Sequence, residues 1–297
     1  MNTYLKRSLT WIALSILMTV YWIIGLMIAS AIFPNSLPEP PSDSSASDIM
    51  LLVICFLNTA TLLYFIYNSH VRGWKLVLYI FLISFGLQYF LSQIETLWFN
   101  DALKMSHDLI WTVVLGGAIS ILLFAITATW MTGGFKKVQN SHAGFTNEKS
   151  ALIKWISFHA IFTWPIIYLL AGYFIAWQYS DVRQYYTGSD EMQSFITINI
   201  ENITSGLYFF QIFRGLIWIS IAFLVLFSVE GTTLKKGIIL GLLFSIISSS
   251  QLLLPNPIMP EVVRIPHLIE TSTSNFLWGI ILVWTIDKYI VFKKSQE

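Results

Sequence analysis

The sequence predicts an all-α polytopic membrane protein with eight transmembrane helices and both termini in the cytoplasm. Three observations lead there: composition, the spacing of apolar runs, and the placement of basic residues. Of 297 residues, 56% are hydrophobic and 11% charged, against about 25% charged in soluble domains. Lipid must therefore solvate much of the surface. A net charge of +1 without a clustered basic face excludes nucleic acid as a partner. The single cysteine, Cys55, excludes a disulfide framework or a cysteine-based zinc site within the chain.

Eight apolar segments approach the ~20 residues that cross a hydrocarbon core, and continuous runs of that length cross as helices. The first, Trp11–Ile32, follows Lys6-Arg7 and ends in Ala29-Ser30-Ala31, which mimics a signal peptide. Its apolar core exceeds the usual length of about 7–15 residues, so an uncleaved helix is expected. Asp48–Tyr67 is the second. Trp74–Phe99 is longer than the bilayer requires and should tilt. Leu109–Met131 is the fourth, and Ile153–Trp177 the fifth, where Trp164-Pro165 should kink the helix. Gly206–Ser228, Leu234–Leu254 and Thr271–Ile290 complete the set.

The connections alternate in charge. Lys6, Arg7, Arg72, Lys75, the lysines of the midpoint loop, Lys235, Lys236 and the C-terminal lysines share one side, while only Lys104, Arg183 and Arg264 fall on the other. The positive-inside rule makes the first side cytoplasmic, and tryptophans near the predicted helix ends fit interfacial belts. A plasma (inner) membrane location is expected. The outer side is left with acids such as Asp101, Asp181, Glu201 and Glu261, and with an Asn202-Ile-Thr204 glycosylation triplet.

Only the connections Phe33–Ser47, Gly133–Ser150 and Tyr179–Ser205 are long. The middle one divides the chain into residues 1–132, a cytoplasmic linker 133–150 and residues 151–297. A short internal echo accompanies this division. "FLSQIETLWFN" matches "ISSSQLLLPN", aligning Ser92-Gln93 with Ser250-Gln251, and "MSHDLIWT" resembles "IPHLIET", aligning His107 with His267. Four helices per half would make the repeats parallel, as in paired transporter halves. The layout resembles the heme A synthases in length and helix count only, because their ligands are histidines within helices and here only His159 lies inside a span.

Polar residues inside spans are costly and mark function. On the third helix Ser84, Gln88, Ser92 and Glu95 share a face, with Gln93 beside them. Glu95 lies roughly 6 Å from the outer end at the helical rise. On the eighth, His267, Glu270, Thr271, Ser274 and Asn275 form a stripe behind Arg264. The sixth adds Gln211, Arg214 and Trp218, with Arg214 about 12 Å deep. Glu95, Arg214, His267, Glu270, Gln93, Gln211, Asn275 and Arg264 are thus the candidate lining of a common outer pocket. Arg214 needs a carboxylate partner, and Glu95 and Glu270 are the ones at comparable depth.

Plainer roles compete. Glu270 after Pro266 fits a helix start, where a carboxylate complements the dipole. Glutamine and serine often only bond neighbouring helices, at about 0.6 kcal/mol each. His159 reads as a packed histidine. Glu95, His267 and Glu270 form a weak metal-ligand set, since His-x-x-Glu places two ligands on one face without a second such pair.

Three functions fit: a transporter or permease for a small solute or ion, which accounts for most; a membrane enzyme acting on a lipid or anionic substrate at the outer interface; and a non-catalytic subunit or sensor. The expected partners are the bilayer and a small-molecule, ion or lipid ligand.

Overall fold

The computed structural model describes residues 3–34, 44–136, 141–145, 149–286 and 290–294. Parts of the first long connection and of the midpoint linker lie outside the described residues, as do 287–289 and the last three positions. The molecule is an all-α membrane protein, and among the described residues six helices are long and apolar enough to cross a bilayer. These are α1 (Thr3–Ile32), α2 (Ser44–Asn68), α3 (Gly73–Trp98), α4 (His107–Met131), α5 (Lys149–Gln178) and α8 (Leu207–Leu226). The connection expected between α5 and α8 folds into two amphipathic helices, α6 (Ser180–Thr187) and α7 (Phe195–Thr204). Ser194 caps α7 by accepting from Thr197 N–H, and Gly188 ends α6 in the left-handed conformation that glycine tolerates.

The last two expected spans are less regular. The seventh is broken: α9 (Thr233–Leu242) runs into a π-turn at Leu243–Ile247 and then a 3-10 turn at Ser250–Leu253. The eighth begins ten residues earlier than its apolar run, as α10 (Glu261–Ile286). Hydropathy misses this start because Glu261, Arg264, His267 and Glu270 recur every three residues through the first three turns. Pro266 is consequently internal, not first-turn, and leaves the Val262 carbonyl without its helical donor.

Two further π-turns interrupt spans. Gly86–Phe90 lies within α3, so the expected single stripe from Ser84 to Glu95 is rotated partway along. His159–Thr163 lies just before Pro165 in α5, where the expected kink appears as a π-turn. Pro165 cannot bond the Ile161 carbonyl, which accepts instead from the Tyr208 hydroxyl at 2.6 Å.

The main apolar core runs from Leu14 and Phe65 through Leu87 and Trp218 to Leu282, with a small second cluster of Ala176, Val182 and Val263. Close helix approach is set by small residues, as is common in lipid. A Cβ on Gly279 of α10 would come within 2.7 Å of the Gly241 nitrogen on α9. On the surface, Ile12, Ile16, Ile23 and Met27 of α1 and Leu78 of α3 are exposed as a lipid-facing side requires, with Trp74, Trp130, Trp111 and Trp98 exposed near helix ends.

The connections sort to two ends. At one end Ser69 bridges Val229, the Gly73 N–H donates to the Gly134 carbonyl at 2.7 Å, and strand β1 (Ser141–Phe145) pairs antiparallel with β2 (Ile290–Lys294). This is the ribbon end. At the other, α6 packs against α10 and the turn Asn100–Leu103, and the Tyr185 hydroxyl donates to the Ile258 carbonyl at 3.0 Å.

Candidate functional site

A cavity of about 630 Å³ opens at the end capped by α6 and α7. Its walls come from α3, α5, α8 and α10, with Ser248, Gln251 and Leu252 from the broken seventh segment. Four carboxylates line it, Glu95, Asp101, Glu201 and Glu270, together with two basic side chains, Arg214 and His267. The aromatic lining includes Trp98, Tyr168, Trp177, Tyr186 and Trp218.

Arg214 and Glu95 form a bidentate pair, Nη1 to Oε1 at 2.6 Å and Nη2 to Oε2 at 2.7 Å. The paired fork is the strongest geometry open to these groups. Arg214 is only 5% exposed, and its guanidinium lies about 6 Å from the rings of Trp164, Tyr168 and Phe210, each within cation–π range. Its Nη1 also donates to Gln211 Oε1 at 3.1 Å, an oxygen that accepts from Trp164 Nε1 as well. The charge is thus neutralised, stacked and hydrogen-bonded, which is what depth in a bilayer demands.

The second pair lies on α10. His267 Nδ1 is 2.8 Å from Glu270 Oε2, the i,i+3 spacing that places both on one helix face. Glu270 is 6% exposed and three turns into its helix, so a dipole role at the helix start is excluded; Glu261 occupies the first turn instead. Glu270 Oε1 makes no side-chain hydrogen bond among the described contacts, and it lies toward Gly172 of α5, where a Cβ would sit 3.6 Å away. The Tyr186 ring packs edge-on to His267 at 5.5 Å. Burial, with the Glu95, Tyr185 and Glu270 charges nearby, pushes the Tyr186 phenol well above its ordinary value, so this hydroxyl remains a donor.

Glu95, Arg214, His267, Glu270 and Asn275 therefore line one cavity, and Asn275 Nδ2 bonds Ser248 Oγ at 2.9 Å. Three other candidates lie outside its lining. Gln211 is fully buried behind Arg214 as an acceptor for it. Gln93 points into packing, its amide reaching only Ser92 Oγ at 3.4 Å, because in the regular helix Leu91–Trp98 it is turned about 100° from the Ser92–Glu95 face. Arg264 is buried and holds the Leu252 carbonyl at 2.6 Å, tying the broken seventh segment to α10. For the Glu95, His267 and Glu270 set, no group of three His, Cys, Asp or Glu side chains converges among the described residues, and both Glu95 oxygens accept from Arg214.

Sequence reasoning missed Tyr168, Tyr186 and Gly172. Tyr186 belongs to a segment read as loop, and the signal available was the Ser180–Thr187 run ending in glycine. His159 is the packed histidine expected, its Nε2 3.1 Å from Thr285 Oγ1. Below the cavity, Trp164, Trp218, Trp278 and Phe244 pack tilted and edge-on into a floor, with Trp164–Trp218 at 5.3 Å and Trp218–Phe244 at 4.5 Å.

No protein-family profile, curated protein or solved structure matches the chain.

Proposed function

We propose that the chain is an eight-span permease of the plasma (inner) membrane that captures a small solute from the outer side, with both termini cytoplasmic. The observation that carries this reading is the cavity: open at one end, closed by the tryptophan floor at the other, and lined by charges from both halves of the chain. Basic residues concentrate at the ribbon end, which makes that end cytoplasmic and the cavity outward-facing. The broken segment from Thr233 to Leu253 and α10 then serve as the seventh and eighth spans.

Two parallel four-span halves, residues 1–132 and 151–297 around the 133–150 linker, are supported by matching packing. In the first half α1 packs on α2 and α4, and α3 on α4. In the second, α5 packs on α8 and α10, and α9 on α10, which are the corresponding pairs. The third span of each half carries a π-turn just before its Ser-Gln, at Gly86–Phe90 and Leu243–Ile247. Each half's second span also reaches the other half's third: Asn58 Oδ1 accepts from Ser250 Oγ at 2.8 Å, and Arg214 holds Glu95. The Ser69–Val229 bridge joins corresponding turns. His107, however, is exposed while its proposed counterpart His267 lines the cavity.

Paired halves with a site between them suit alternating access, in which one half rocks against the other around a fixed site. The π-turns in α3, α5 and the seventh span are places where these helices can bend. A second reading, an outer-interface enzyme, is favoured by the His267–Glu270 dyad, in which a carboxylate orients an imidazole as a base requires. Mass spectrometry of the purified protein tests the solute reading. Wild type should carry a small molecule that Glu270→Gln loses; a wild type that releases only bulk phospholipid would overturn it.

A further inference from the structure

We infer that the cavity takes an organic ammonium ion, seated on the free oxygen of Glu270 among the aromatic walls. The inference rests on the outward-facing cavity proposed above and names its ligand class. Charge balance comes first. Four carboxylates and one arginine line the cavity, and Arg214 is consumed by its bidentate bond to Glu95. The lining is net negative by two when His267 carries a proton and by three when it does not. An anion entering would meet Asp101 and Glu201 at the mouth, and among the described lining residues both basic groups, Arg214 and His267, are already paired with a carboxylate.

Geometry supplies the seat. Glu270 commits Oε2 to His267 and leaves Oε1 toward the space that Gly172 keeps open. Around it the lining offers the rings of Tyr168, Tyr186 and Trp177. Aromatic faces attract a cation through their quadrupole, most strongly where water is excluded, and such cages beside a carboxylate are how ammonium groups are recognised. A metal ion would need more oxygen ligands than the one Glu270 has free. At about 630 Å³ the cavity falls within the usual range for small ligands.

The test uses the full-length protein in lipid nanodiscs and three probes of one shape: benzylammonium, benzyl alcohol and benzoate. Calorimetry should show saturable binding of benzylammonium, weakening with added salt, and none of the other two. Glu270→Gln should weaken it by roughly tenfold or more, the equivalent of one charge-assisted hydrogen bond. Gly172→Leu provides the control for folding, since among the described residues a Cβ there meets Glu270 Oε1, at 3.6 Å, and no other atom beyond its own helix within 4 Å. It should fold normally and lose benzylammonium binding by at least a similar factor. Benzoate binding as tightly, no probe binding at all, or both variants keeping wild-type affinity would overturn the ammonium class. The cavity itself is read separately, by labelling a cysteine at Thr271 with an impermeant thiol reagent. Labelling with benzoate binding would retain the cavity and discard the ammonium, whereas no labelling would discard both.

Discussion

Replacing Glu95 by glutamine keeps the shape of the Arg214 partner and removes its charge. The Arg214 side chain is 6% exposed and that of Glu95 29%, so the two ends of the pair do not suffer equally when broken. Removing one partner of a buried pair costs about 3–5 kcal/mol, and the partial exposure of Glu95 to the cavity puts Glu95→Gln near the low end, about 3 kcal/mol. Arg214→Gln leaves the better solvated partner behind, at a cost of about 1–2 kcal/mol, the range for an unpaired hydrogen-bonding group. The double variant leaves no unpaired charge and should recover at least about 2 kcal/mol of the summed loss, within the range of coupling for contacting residues. In thermal melts of detergent-purified protein, roughly 2–4 °C per kcal/mol makes the Glu95→Gln shift about 6–12 °C. Equal shifts for the two single variants, or an additive double, would refute the assignment of Arg214 as the desolvated partner.

Gln211→Leu removes the oxygen that accepts from both Arg214 and Trp164; it should cost about 1–3 kcal/mol in the same melts, and a neutral result would show that the oxygen is dispensable. Gly279→Ala places a Cβ within 2.7–2.9 Å of the α9 backbone and should cost about 1–3 kcal/mol as overpacking, read as a lower melting temperature, whereas an unchanged one would mean the two helices can separate freely. Cysteines at Lys149 and Glu191, both exposed, should label from the inner and outer sides respectively in right-side-out vesicles. Labelling of both from one side would reverse the sidedness.

The membrane class and the long helices were legible because apolar runs of bilayer length leave the backbone no alternative to helix. The candidate cavity was partly legible for the same reason: Glu95, Arg214 and Glu270 cannot face lipid, so convergence follows from the cost of exposure. What hydropathy could not convey is local winding. The π-turn in α3 rotates Ser92 and Glu95 relative to Ser84 although all were expected on one stripe, and Pro266 reads as a helix start only if the turn before it is taken for loop. Arg264 illustrates the opposite failure. A charged residue at a helix end looks like ligand-binding surface, yet here its guanidinium satisfies the Leu252 carbonyl that the broken seventh segment leaves unpaired. The capping helices α6 and α7 were invisible to a search for spans, being short and amphipathic, and with them went Tyr186.

The central claim, that residues far apart in sequence line one outward-opening aqueous cavity, is tested most directly by thiol accessibility. Single cysteines at Ser92 and Thr271, both in the cavity lining, are treated with a membrane-impermeant methanethiosulfonate from the outer side of intact cells. The wild type, whose lone Cys55 is buried, serves as the blank. Both positions should react from outside, and benzylammonium should slow both. Reaction from the cytoplasmic side alone, or at neither position while both variants remain folded, would contradict the account.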